Sequence, residues 1–428
     1  MPRLLTGFAA ASLLALGGAS AQAQQYLVTD TTNRAVMLID GAAGTILNAQ
    51  FIADSGTGNF TFSLPIEAIQ VNGEIWVADQ VSDQLIRFDI FGNWISTLST
   101  GLDNVRGLAY GNGLVYLVNF GTANGAPGKR ILVFDLNGNQ VSSFPTGDLF
   151  DVAVRGNELL VTNTLLDDIE RYSLSGTFLG TFHNSDGVSG IDFPSQVTPL
   201  PSGEVLAAGQ SAPLGFFLYD ANGAQTTYFP VSAAVRGVTR TDAGKYLYAT
   251  NSGVYLFDPA TSLTSDVAIN LAPYYINLYR PPGPPESYCT AGTSSQGCTP
   301  QLAHTGTPSA SASSGFVISA LPIDAQRSAT FFYGVNGRQA LPWATGSTSF
   351  FCVRAPIQRT PTQNTGGTVG NCNGFASLDW NAFAAANPSA VGQPYVFGAM
   401  VNAQCWFRDP PAAKSTNLSD ALEFFLQP

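Results

Sequence analysis

The stretch I75WVADQVSDQLIRFDIFGN93 is two runs of β-forming residues, ending at Asp79 and Asp89, joined by a polar turn and closed by a second turn at Gly92. Short apolar runs bounded by Asp, Asn and Gly read as strands of an antiparallel hairpin. The unit recurs along the chain: Y26LVTD with MLID40, V115YLVN with LVFD135, L159LVTN with ERYS173, V205LAAG with FLYD220, and L247YATN with YLFD258. The six starts at 26, 75, 115, 159, 205 and 247 are 49, 40, 44, 46 and 42 residues apart, the length of a four-stranded propeller blade.

A further apolar strand lies between successive hairpins, at Pro65 to Val71, Asn104 to Tyr110, Leu149 to Val154, Phe193 to Pro199, Ala234 to Arg240 and Pro273 to Leu278. Each blade therefore has an inner strand, the quoted pair, and an outer strand such as Trp94 to Leu98 or Gln140 to Phe144. The last inner strand, Pro273 to Tyr279, is expected to complete the blade begun at Tyr26, which closes the ring and removes an open sheet edge. The expectation is an all-β chain: a six-bladed β-propeller over 24–280, a proline-rich linker R280PPGPPE over 281–287, and a disulfide-bearing β-sandwich-like domain over 288–428.

The repeat I75WVADQVSDQLIRFDIFGN resembles an NHL repeat of the six-bladed propellers that include the SMP-30/gluconolactonase-like and YncE-like groups. The resemblance implies the fold, whereas such repeats serve binding domains, lyases and lactonases alike. Asp79, Asn119, Asn163 and Asn251 are expected to form the turns that end the second strands. Aligning the inner strands gives a channel ring of Glu67, Arg106, Asp151, Ser195, Arg236 and Tyr275. On one reading Arg106 and Arg236 neutralise Glu67 and Asp151 in a structural network. On the other, Glu67 and Asp151 are oxygen ligands of a Ca²⁺ ion and the arginines orient a substrate. The SMP-30-like resemblance of P65IEAIQVNGEIWVAD implies metal ligands on such strands. This chain departs from the family pattern, with Ala68-Ile69, Asp151-Val152 and Arg236-Gly237 where that family has Gly-Pro, Asn-Gly and Asp-Gly.

Other chemistry is poorly represented. The chain has no GxSxG elbow, P-loop or HExxH, His183 is expected in a loop, and Asp167-Asp168-Ile169-Glu170 reads as a solvated acidic turn. A net charge of −11 with no basic run argues against a nucleic-acid partner. Arg3, the apolar stretch Leu4 to Leu16 and Ala21-Gln22-Ala23 read as an export signal over 1–23, and no other segment suits a transmembrane span. All five cysteines lie in the last third, which suits an oxidising compartment. Cys289, Cys298, Cys352 and Cys372 are expected in disulfides; the shortest loops pair Cys289 with Cys298 and Cys352 with Cys372 and leave Cys405 over.

The C-terminal stretches Y288CTAGTSSQGC, F331FYGVNGRQALPW and Q404CWFRDP resemble a module attached to diverse secreted proteins of bacteria such as planctomycetes. Strands are expected at Gly315 to Leu321, Ser328 to Val335, Ser349 to Arg354, Tyr395 to Phe407 and Leu422 to Leu426. A303HTGTPSASASSG reads as a loop, and a helix at Leu378 to Ala386 would be capped by Asp379. Trp343, Trp380 and Trp406 either fill the core or stack on sugars. The functional expectation is a secreted or cell-surface binding or scaffold protein, with the periplasm as the alternative address. Its propeller face would recognise an extracellular protein or polysaccharide without a cofactor. The competing reading is a metal-dependent, lactonase-like hydrolase at the channel.

Overall fold

The computed structural model describes residues 24–54, 58–185 and 190–427, so the expected export signal lies outside the described residues. Each quoted sequence unit becomes the two middle strands of a four-stranded antiparallel sheet, and there are six such sheets among the described residues. In blade two, for example, Glu74–Asp79 pairs with Gln84–Asp89 in an unbroken register from Glu74↔Asp89 to Asp79↔Gln84. These strands read as continuous apolar runs because both of their faces are covered. Ile75 and Val77 face Leu27, Val36 and Leu38 of blade one, while Trp76 and Ala78 face Val115 and Leu117 of blade three.

Equivalent apolar layers lie between blades three and four, four and five, five and six, and six and one. Six sheets joined by six layers leave no free face. The chain is thus a β-propeller, and the expected closure is present: Gln25 pairs with Tyr279 and Val28 with Ile276, so the last inner strand completes the first blade. Burial falls from the channel outward; Pro65–Val71 is almost wholly buried, whereas Thr45–Ala53 at a rim is mostly exposed.

The C-terminal region packs two sheets around one core. Glu286–Tyr288, Thr416–Phe425, Met400–Arg408 and Ser328–Gly334 form the larger sheet, and Gln301–Gly306, Phe316–Ile323 and Gly374–Asp379 the smaller. Phe316, Ile318, Phe331, Tyr333, Trp380 and Phe424 fill the space between them, giving the expected β-sandwich-like arrangement. Helix Trp380–Ala386 begins where Asp379 Oδ1 accepts from Ala382 N at 3.0 Å, as its capping role requires. Trp380 is fully buried in this core, and Trp343 donates Nε1–H to Thr416 Oγ1 at 2.9 Å.

Three features differ from the sequence expectation. Glu286 and Ser287, placed in the linker, already pair with Glu423 and Leu422. Ala303 to Gly306, placed in a loop for its polar content, belongs to a strand that pairs with Phe316–Ile323. The disulfides are interleaved, Cys289 with Cys352 and Cys298 with Cys372, rather than closing the two short loops. Cys405 is free and buried, and burial raises its thiol pKa.

The C-terminal region seats on one end of the propeller, where the first strand of a blade turns into the second. Asn336 and Asn112 exchange hydrogen bonds of 3.0 and 3.3 Å, Ala340 N donates to Pro201 O at 3.1 Å, and Phe397 packs against Phe91. Arg280, at the propeller's exit, donates to Glu423 at 2.8 Å. The opposite end of the channel carries no such cover among the described residues.

Candidate functional site

The pairing register fixes which inner-strand residues share a level in the channel. The first residue of each inner strand faces the end of the second strand: Pro65↔Asp79, Val105↔Asn119, Leu149↔Asn163, Pro194↔Gly209, Val235↔Thr250 and Pro273↔Asp30. A register shift follows in every blade immediately after that pair. One residue beyond it stand Ile66, Arg106, Phe150, Ser195, Arg236 and Tyr274; two residues beyond stand Glu67, Gly107, Asp151, Gln196, Gly237 and Tyr275. The expected ring therefore mixes two levels. Glu67, Asp151 and Tyr275 belong to one, and Arg106, Ser195 and Arg236 to the neighbouring one.

This separation removes the expected ion network. Arg106 donates to Leu149 O at 3.0 Å and lies over the rings of Phe120 and Phe150, and Arg236 reaches Pro273 O at 3.4 Å over the Tyr274 ring. Each arginine is thus held by the next blade's backbone and by aromatic faces. Neither forms an ion pair with Glu67 or Asp151. Ser195 accepts from Gln210 Nε2 at 3.0 Å, and Tyr275 is buried with its ring edge-on to Phe150.

The deeper level stitches neighbouring blades together. Glu67 Oε2 accepts from Leu108 N, and Glu67 Oε1 accepts from Asn277 Nδ2 at 2.9 Å. Asp151 Oδ2 accepts from Val197 N at 2.8 Å. Gln196, absent from the expected ring, is the best-connected member: its Oε1 accepts from Val238 N at 2.9 Å and Ile276 N at 3.2 Å, and its Nε2 donates to Ile276 O at 2.9 Å. Glycines make room for these side chains. A Cβ on Gly107 would stand 2.5 Å from Asp151 Cα and 2.8 Å from Val152 N, and one on Gly237 2.5 Å from Tyr274 O.

Glu67 and Asp151 are both buried, and their carboxyl groups lie within hydrogen-bond reach of each other. Burial pushes Asp151 up to about 8, against the pull of the Val197 and Val152 amides. Burial, and then the charge of Asp151, raise Glu67 well above the usual carboxylate range. Asp151 Oδ1 has no other partner, so a proton carried by Glu67 and donated to this oxygen satisfies both groups. A Ca²⁺ ion takes six or more oxygen ligands. This level offers two carboxyl groups whose outer oxygens already accept from Leu108, Asn277 and Val197, and the described residues contain no cluster of three or more metal-ligating side chains. The donor set does not fit the ion.

The turn-forming role of the second-strand ends holds for Asp79, Asn119 and Asn163. Asp79 accepts from Ser63 N, Leu64 N and Ser82 N at 2.6 to 3.1 Å, Asn119 from Asp103 N at 2.8 Å, and Asn163 from Leu165 N at 3.1 Å. In blade six the equivalent residue is Thr250, which accepts from Ser252 N at 3.1 Å, and not the exposed Asn251. His183 stands in an outer strand and its Nδ1 contacts Gly223 O at 2.9 Å. In the expected acidic turn, Asp168 and Glu170 are buried instead, with Glu170 accepting from Asn163 and Tyr172.

Between the stitched level and the C-terminal cover lies a cavity of about 660 Å³, which sequence reasoning missed because its walls come from residues more than 200 positions apart. Glu67, Asp151, Thr198, Thr239 and Asn277 line it from the propeller, and Tyr288, Asn336, Arg338, Gln339 and Arg354 from the cover. Glu423 anchors its edge, accepting from Arg280 at 2.8 Å, from Arg338 at 2.8 and 3.0 Å and from Asn402 at 2.8 Å. Burial alone would raise the Glu423 carboxyl, but the two guanidinium groups outweigh it and hold the group below its ordinary range.

No protein-family model and no characterised protein matches this sequence. Among solved structures, the chain is similar to a chain of a nidogen/laminin complex, at 15% identity over 60% of this chain and 98% of that one, with a TM-score of 0.48. It is similar to a protein of unknown function from Bacteroides caccae, at 13% identity over 60% of this chain and 100% of that one, with a TM-score of 0.45. It is also similar to the Pan2 WD40 domain of Neurospora crassa, at 11% identity over 58% of this chain and 80% of that one, with a TM-score of 0.38.

Proposed function

We infer that the chain is a secreted, non-enzymatic binding or scaffold protein with a six-bladed, NHL-type propeller, which recognises an extracellular protein or polysaccharide through its uncovered end. The observation that carries this reading is the composition of that end. Val81, Leu165 and Leu166, in the turns between second and third strands, are 64%, 70% and 56% exposed. Arg106 and Arg236 stand at the same end over Phe120, Phe150 and Tyr274. Exposed aliphatic side chains beside arginines and aromatic rings are the chemistry of recognition surfaces.

The C-terminal region would serve attachment, since it covers the other end and leaves this one free. Two disulfides in that region and the leader-like sequence at 1–23 support an address outside the cytoplasm. No helix among the described residues is long and apolar enough to cross a membrane. The lactonase reading loses its support at Glu67 and Asp151, whose oxygens are committed to neighbouring strands and to each other.

The test is retention of the purified protein on extracellular polysaccharide and on surface proteins stripped from the producing cells, with Leu165→Asp/Leu166→Asp as the comparison. Loss of retention by about tenfold or more, with an unchanged melting temperature, is the expected result. Equal retention by both proteins would refute recognition through this end.

A further inference from the structure

The cavity under the C-terminal cover has an uncompensated cation. Four arginines line it, and three have anionic partners: Arg240 pairs with Glu204 at 3.0 Å, Arg280 with Glu423 at 2.8 Å, and Arg338 with Glu286 and Glu423 at 2.6 and 2.8 Å. The Arg354 guanidinium has neither a hydrogen bond nor an ion pair to any described residue, and it follows directly on the strand Phe350–Val353, whose last two residues are buried. Burial and the nearby Arg280 both work against its charge. Arg354 is half-buried, and a guanidinium partly withdrawn from bulk water without an anion gains from one bound at its fork. Its fork of donors suits a carboxylate held through two parallel hydrogen bonds.

The remaining wall specifies more than charge. Gln339 commits its Nε2 to Val353 O at 2.8 Å, which leaves its Oε1 as an acceptor. The Thr239 hydroxyl has no partner among the described residues, and the Asp242 carboxylate at the rim has no ion pair there. Acceptors of this kind take protons from hydroxyl groups, and 660 Å³ is the size of a site for one or two sugar rings. We propose that this cavity binds a monoanionic sugar acid of the hexuronate class, with Arg354 gripping the carboxylate and Gln339, Thr239 and Asp242 accepting from its hydroxyls. The site is separate from the uncovered end, so it stands or falls apart from the recognition proposed there.

Calorimetry on the full mature chain tests it, with D-glucuronate, D-glucose and acetate as probes. Glucuronate is expected to bind at one site per chain, while glucose and acetate each bind at least about tenfold more weakly. Arg354→Gln should weaken glucuronate by about tenfold or more, and Arg354→Lys, which keeps the charge but not the fork, by less. Melting temperatures within a few degrees of wild type would establish that both variants fold. Absence of glucuronate binding to the wild-type chain overturns the proposal whatever the variants do. Equal binding of acetate overturns the sugar component, and binding that survives Arg354→Gln in a folded protein overturns the site.

Discussion

Asp151→Asn separates a stitched channel from one built around a metal, because it changes the charge of the buried pair and almost nothing else. The asparagine carbonyl would replace Asp151 Oδ2 as acceptor of Val197 N at 2.8 Å, and its amide would put a donor where Oδ1 now has none but the proton of Glu67. The sign of the pH effect follows from the direction of the shift. Burial raises both carboxyl groups of the pair above their unfolded values, Asp151 to about 8, so above the unfolded range the folded state binds more protons than the unfolded one and stability falls as pH rises. At about 1.4 kcal/mol per pH unit of raised pKa, that loss is several kcal/mol for the pair as a whole. Asp151→Asn is relieved of its part of that loss. In urea unfolding with disulfides intact, the variant should exceed wild type by at least about 1 kcal/mol at pH 8 and match or fall slightly below it at pH 4. A variant destabilised at pH 8 as much as at pH 4 would refute the raised carboxyl at Asp151, since it would mean that the fold gains as much from the ionised group as from the protonated one.

Three further outcomes follow from the same geometry. Glu423→Gln leaves Arg280 and Arg338 without their shared anion and should cost about 3 kcal/mol or more, read as a lower urea midpoint and faster proteolysis within 281–285. Because the Glu423 carboxyl is held below its ordinary range, the wild-type contribution is present above the unfolded value and is lost as pH falls through the folded one; the glutamine variant should lack that acid-side loss. Gly107→Ala forces a methyl group to 2.5 Å from Asp151 Cα and should destabilise by about 2 kcal/mol or more, against well under about 1 kcal/mol for Gly113→Asn at an open turn position whose positive φ asparagine tolerates. Peptide mapping should find Cys289 joined to Cys352 and Cys298 to Cys372, with one thiol per chain that reacts only after denaturation.

Much of the propeller is legible in the sequence because its strands are covered on both faces and therefore appear as apolar runs at a blade-length repeat. The helix at Trp380–Ala386 is legible through its Asp379 cap. The channel ring read from the inner strands is off by one residue at three of its six positions, Arg106, Ser195 and Arg236. A register shift follows the first residue of each inner strand, and no glycine or proline marks it in a common place, so sequence alignment pairs Glu67 with Arg106 where the fold pairs it with Gly107. Side chains alternate along a strand, and a slip of one position turns a charged ring into a mixture of two levels. The same offset hid Gln196 and assigned Asn251 the role of Thr250. Loop length is a weak guide to disulfide pairing, because each doubling of a loop costs only about 0.6 kcal/mol, so packing of the sandwich decides the partners. The cavity and Arg354 left no local signal, because neither exists until the C-terminal region seats on the propeller.

If Glu67 and Asp151 hold a proton between them and bind their neighbours, their oxygens are not free to hold a metal for catalysis. Calorimetric titration of the mature chain with Ca²⁺ at pH 7.5, run in parallel on Glu67→Ala and alongside a lactone hydrolysis assay, tests it most directly. The structure calls for no stoichiometric binding that depends on Glu67 and no hydrolysis above the buffer rate. One Ca²⁺ per chain bound by wild type and lost in Glu67→Ala, with lactone turnover that follows the same loss, would contradict it.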